Sequence, residues 1–205
     1  MPFGLVDTGG KNMDAEKRNN SQIPRTKKWL REALIELMKK KPYSQITITE
    51  LAQRADLSRF SFYAHYKTKD DILYDIVERI MDEQAIKLRN EKDLTILRGW
   101  ELAFETWIKH KDVIVTIGKQ NLLNIFRDVN EKEYMNTTQN FMTSTISKNP
   151  EFYPYYSVYH NSAMVNLTYY FLCEEPMKTP RDMAEIMLQL RPASIHTSFI
   201  QTEKT

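Results

Sequence analysis

The sequence predicts an all-α protein, with a three-helix N-terminal domain followed by a C-terminal helical bundle. Three observations carry that expectation. Apolar residues recur at helical spacing through most of the chain, β-branched runs are short, and only five glycines interrupt 205 residues. With 41% apolar and 27% charged residues, the chain has the balance of a soluble globular protein and the length for one large or two small domains. The lone Cys173 allows no internal disulfide and fits a reducing cytosol. The opening "MPFGLVDTGGKNMDAEKRNN" lacks a basic start followed by an apolar core. The most apolar later stretch, 155–173, is interrupted by His160, Asn161 and Asn166. A cytoplasmic chain that does not span a membrane is expected.

Residues 1–22 are polar and aperiodic, and read as a disordered arm in which Met13 is an alternative start. The first helix runs from about Pro24 to Lys40. Trp29, Leu30, Ala33, Leu34, Leu37 and Met38 form its apolar stripe, and Lys27, Lys28, Arg31 and Glu32 lie off it. Pro42 then disfavours helical geometry in the residue before it.

The second helix begins at Thr47, where T-x-x-E with Glu50 predicts a capping box. Ile48, Leu51, Ala52 and Ala55 give it a narrow inner face that another helix can approach closely. Asp56 falls where the chain must turn, and Asp tolerates left-handed backbone. Ser58 is the expected N-cap of a short third helix over 58–65. Thr68 caps a fourth, with Asp70 and Asp71 complementing its dipole, and Ile72, Leu73, Ile76, Val77, Ile80 and Met81 carry it on to about residue 89. Further helices are expected near 94–110, 112–118, 119–128, 131–147, 154–174 and 180–191. The segment "VIVTI" within 112–118 reads equally well as a buried strand. Thr179 and Pro180 mark the start of the last helix. The expected division is an arm (1–22), a three-helix domain (23–73), a connecting helix (74–91), a C-terminal helical domain (92–192) and a tail (193–205).

Net charge is only +2, but it is unevenly spread. Residues 24–69 hold eleven Lys or Arg against four Asp or Glu, leaving eighteen against twenty-three elsewhere. A basic first third on a slightly acidic body is the footprint of a nucleic-acid-binding end.

Two short helices crossing at small residues make a helix-turn-helix, whose second helix offers its first residues to base edges in the major groove. Here that helix is "SRFSFYAHY". Arg59 can pair with guanine through two hydrogen bonds, and Ser61 can reach a base edge or a phosphate. Tyr63, His65 and Tyr66 carry groups suited to phosphate oxygens, although both tyrosines read equally as core. Phe62 is expected to turn inward. Lys69 stands at a helix start that already favours an anion. The four scattered histidines and single cysteine suggest no metal site, and no phosphate-cradling loop or nucleophile motif suggests an enzyme. No cofactor is expected.

The stretch "TITELAQRADLSRFSFYAHYKTKDDIL", preceded by "RTKKWLREAL", resembles the DNA-binding domain of the TetR family of bacterial transcriptional regulators. The shared pattern is T-I-x-E-L, three residues and Ala, then Ser, a Phe-Tyr pair, H-[FY] and K-x-x-[IL]-L, over residues 24–73. Two positions depart from it. The family usually has Gly where this chain has Asp56, and a small residue where it has Phe60. A bulky Phe60 can meet a thymine methyl, or weaken or redirect the reading of DNA. The resemblance implies that Thr47, Ser58, Arg59, Phe60, Ser61, Tyr63, His65, Tyr66 and Lys69 occupy DNA-facing positions.

It also implies a helical ligand-binding and dimerisation domain after residue 92. Trp100, Phe104, Trp107, Phe126, Tyr134, Phe141 and Met142 are the candidate lining of a pocket for a small apolar or aromatic effector, or else plain core. Tyr159, Ala163, Asn166, Leu167 and Tyr170, with Ile186 and Leu190, are the candidate dimer face, two helices from each chain forming a four-helix interface. The resulting expectation is a homodimeric repressor on double-stranded DNA. The alternative is a coactivator that keeps the fold and acts through a protein partner.

Overall fold

The computed structural model describes residues 25–129, 151, 153–174, 176 and 178–190, and every regular element among them is helical. The expected arm (1–22), tail (193–205), helix near 131–147, Tyr134, Phe141 and Met142 lie outside the described residues. The chain divides into two compact units, Met1–Leu73 and Tyr74–Thr205.

The first unit holds α1 (25–38), a 3₁₀ turn (Tyr43–Gln45), α2 (Ile48–Arg54), α3 (Arg59–Tyr63) and the start of α4 (Lys69–Asn90). The α1 stripe is buried from Leu30 to Met38, while Trp29 at its edge is partly exposed beneath the Arg25 guanidinium, 4.7 Å from the ring centroid. Leu51, Ala52 and Ala55 bury the inner side of α2. The cap at Thr47 forms, with Thr47 Oγ1 accepting from Glu50 N at 3.2 Å. The Glu50 carboxylate also pairs with Lys41 Nζ, and that ammonium is the main reason its pKa lies below the usual range.

Asp56 adopts φ 55° and closes α2. Its N–H donates to Gln53 O (3.1 Å) and that of Leu57 to Ala52 O (2.9 Å), so two of the helix's last carbonyls find donors. At the start of α4, Asp71 N donates to Thr68 Oγ1 (3.2 Å). In return Asp71 Oδ2 accepts from the backbone of Thr68 (2.9 Å) and Lys67 (2.7 Å). These backbone donors hold the Asp71 carboxyl below its ordinary pKa.

The second unit holds the remainder of α4, α5 (Ile96–Lys109), α6 (Lys111–Lys119), a helix α7 described over 124–129, α8 (Tyr153–Cys173) and α9 (Pro180–Gln189). Phe104 anchors its core, edge-on to Trp107 (5.1 Å) and Phe171 (5.2 Å). The segment "VIVTI" is helical, because Ile114, Ile117 and Gly118 share one buried side at helical spacing.

The expected helix over 119–128 starts five residues late. Asn121 takes φ 57° and ends α6 through the same paired bonds seen at Asp56, Asn121 N to Gly118 O (2.9 Å) and Leu122 N to Ile117 O (3.2 Å). Thr179 and Asp182 form a reciprocal capping box at α9, with Pro180 in its first turn. No helix among the described residues is long and apolar enough to cross a membrane.

Candidate nucleic-acid interface

Five residues make α3, and their arrangement is amphipathic around a single anchor. Phe62 is wholly buried, edge-on to Tyr63 at 5.2 Å. The opposite side of the helix is open. Phe60 is 84% exposed and Tyr63 50%, and the Arg59 guanidinium lies 5.9 Å from the Tyr63 ring centroid. Ser58 caps the helix by accepting from Ser61 N (3.0 Å), and the two serine hydroxyls stand 2.9 Å apart. Thr47, Ser58 and Arg59 are exposed, and Ser61 is half-buried. These side chains therefore share the open side and the first turns of the helix pair.

Three expected contacts take a different form. Tyr66 is only 5% exposed, so its ring is core, tilted against Phe62 at 6.3 Å. His65 is half-buried, and burial together with the nearby Lys27 ammonium holds its pKa below the ordinary value. A neutral imidazole can donate one hydrogen bond to an oxygen but brings no charge to a phosphate. Lys69 is turned to the protein itself. Its Nζ donates to the carbonyls of Tyr43 (2.7 Å) and Ile46 (2.9 Å) and sits 4.3 Å from the Tyr43 ring centroid.

Two participants were not assigned from sequence. Lys27 of α1 lies 5.2 Å from the Tyr66 ring centroid and beside His65, bringing a cation to the end of α3. Tyr43 hydrogen-bonds Asp70 through its hydroxyl, and burial followed by that carboxylate pushes its pKa up. Lys27 was legible as a residue off the apolar stripe. Nothing in local spacing tied it to a helix some thirty-five residues later.

This geometry coincides with a family pattern. Residues 30–76 match the model described as bacterial regulatory proteins, tetR family. The chain is 27% identical over 113 residues to an uncharacterized HTH-type transcriptional regulator, YerO, of Bacillus subtilis (strain 168), which covers 51% of this chain and 39% of that protein. It is 28% identical over 78 residues to a second such regulator, YxbF, from the same organism, covering 38% and 20%. The matches thus span less than two fifths of the length of these curated relatives. A crystal structure of a TetR transcriptional regulator from Streptococcus agalactiae 2603V has the same fold, with a TM-score of 0.61 at 20% identity over 85% of this chain and 98% of that one.

Residues 30–76 carry the TetR-family pattern.

Four of the candidate effector residues fall among the described ones. Phe104, Trp107 and Phe126 are buried, and Trp100 is half-buried 6.0 Å from the His160 ring. Aromatic side chains at helical spacing pack between α5 and α8 because each brings a large apolar area to bury. A cleft lies at the α6–α7 corner, and none of these four aromatics lines it. The candidate pairing residues fall mainly outside the core. Tyr159, Ala163, Asn166, Tyr170 and Leu190 are exposed, and Leu167 and Ile186 half-buried. Among the described residues no cluster of His, Cys, Asp or Glu could hold a metal ion.

Proposed function

We propose that this TetR-family protein is a homodimeric repressor that docks α3 in the major groove of a pseudo-palindromic operator and responds to a small effector in the cytoplasm. The observation that carries the reading is the polarity of α3. Phe62 and Tyr66 hold the helix from behind, while Arg59, Phe60 and Tyr63 stand clear of the protein. Arg59 would read guanine, Phe60 would meet a thymine methyl, and the Ser61, Tyr63 and Thr47 hydroxyls would set register on phosphates.

Pairing is supported by α8. Apolar side chains occur on every side of that helix, a composition that calls for burial all round. Met164, Val165, Phe171 and Leu172 are buried within the chain, yet Tyr155, Tyr159 and Tyr170 are not. A second copy laid along that stripe would cover it and present two α3 helices to half-sites roughly 34–36 Å apart. An operator overlapping a promoter would then exclude polymerase.

Selection of randomised duplexes by the full chain at low ionic strength tests this. A near-palindrome with half-sites one helical turn apart is the expected product, and Arg59→Ala should change the preferred base. The exposed Phe60 also suits an alternative, a coactivator working through a protein partner. That reading predicts no enriched duplex, and a strictly monomeric chain that enriches none would overturn the repressor.

A further inference from the structure

The turn at Asn121 leaves an open cleft of about 570 Å³ between the α6–α7 corner and the middle of α8. This volume is in the range of small-molecule sites. Its polar lining comes from Lys119, Asn121, Asn124 and Arg127 on one side and from Asn166 and Tyr169 on α8, while the buried Gly118 and Val165 add apolar surface. Among the described residues two cations line it and no carboxylate does. The Asn166 amide already donates to Ser162 O (2.8 Å), which leaves its carbonyl and second N–H for a ligand.

We infer that this cleft binds a small organic carboxylate, its anionic end on Arg127 and Lys119 and its apolar body against Val165 and the Tyr169 ring. The electrostatics of Arg127 say what binding would do. Its Nε (3.3 Å) and one terminal nitrogen (3.1 Å) now donate to Asp128 Oδ1, while Asp128 Oδ2 accepts from the Tyr74 hydroxyl of α4 at 3.3 Å. One carboxylate is therefore shared between the cleft and the helix that begins in the N-terminal unit. A ligand carboxylate would compete with Asp128 for the guanidinium, and planar two-point pairing makes it a good competitor. Released from Arg127, Asp128 would reorient on Tyr74 and shift α4.

This gives the effector of the proposed repressor a chemistry and a place. It rests on that reading only for the consequence on DNA, so its test uses none. Binding of benzoate and 1-naphthoate to the full chain is measured by NMR titration, with the matching primary amides as neutral controls. Carboxylates should bind and amides should not, at least tenfold apart. Arg127→Gln should abolish the difference. Asp128→Asn, which removes the internal competitor, should tighten carboxylate binding several-fold.

A purely structural Arg127–Asp128 pair predicts the opposite for Asp128→Asn, no change or a loss. Equal binding of acids and amides, or no binding of either with the fold intact by circular dichroism, would overturn the assignment. Hydrogen exchange in α4 reads the second half of the inference. Protection around Tyr74 should change with 1-naphthoate in the wild type and not in Tyr74→Phe. An unchanged α4 in the liganded wild type overturns the relay.

Discussion

Gly118 of α6 lies directly under the ring of Tyr169 of α8, so close that a Cβ placed on it would stand 2.1 Å from a ring carbon. The contact lets two helices approach at a point where any side chain would intrude, and it sets one wall of the α6–α7 cleft.

Gly118→Ala therefore opposes two effects. Helix propensity favours alanine by about 1 kcal/mol, and overpacking against Tyr169 costs about 1–3 kcal/mol. A net loss of about 1 kcal/mol is expected in urea unfolding. Adding Tyr169→Ala should remove the clash, so the glycine substitution should be neutral or stabilising in that background. Additive effects in the double-mutant cycle would sink this account.

Asp56 spends a left-handed conformation that glycine adopts freely. Its side chain is exposed. Asp56→Gly should raise stability by about 0.5–1 kcal/mol, read as a higher Tm. A lower Tm would mean that the aspartate makes a compensating contact.

Lys69 holds the 3₁₀ turn by donating to two carbonyls, so its loss acts on the fold before it acts on DNA. Lys69→Ala should lower stability by about 1–2 kcal/mol, the range for hydrogen bonds to a charged donor that keeps some solvent contact. Affinity should fall on every duplex sequence alike. A variant with unchanged Tm but weaker DNA binding would show that the ammonium serves phosphate instead.

Glu83 of α4 accepts from Lys109 Nζ (2.8 Å) and pairs with His110 Nε2 (2.9 Å) at the end of α5. Those two partners, the lysine first, hold its pKa at about 2 against an ordinary 4.5. The folded state thus prefers the carboxylate, and its stabilising effect is complete above pH 4.5 and is lost as pH falls toward 2. Glu83→Gln should cost about 1 kcal/mol at neutral pH, discounted for exposure, with the gap closing in that window. A gap independent of pH would point to packing rather than charge.

The helices of this protein were legible locally because their causes are local. Thr47, Ser58, Thr68 and Thr179 cap the helices they were expected to cap, through bonds to residues three positions away. Asp56 turned where its short polar side chain tolerates the turn. The open side of α3 followed from period and anchor, since Phe62 faces inward and its neighbours cannot.

Tertiary structure alone decided how side chains distant in sequence use their polar groups. Lys69 met carbonyls more than twenty residues away, Tyr66 sank into the core beneath Lys27, and Phe104 packed edge-on against Trp107 and Phe171. The cleft arose where Asn121 ended α6 and Gly118 admitted Tyr169. Spacing along a chain reports which face a residue shares; only the crossing of helices determines what that face meets.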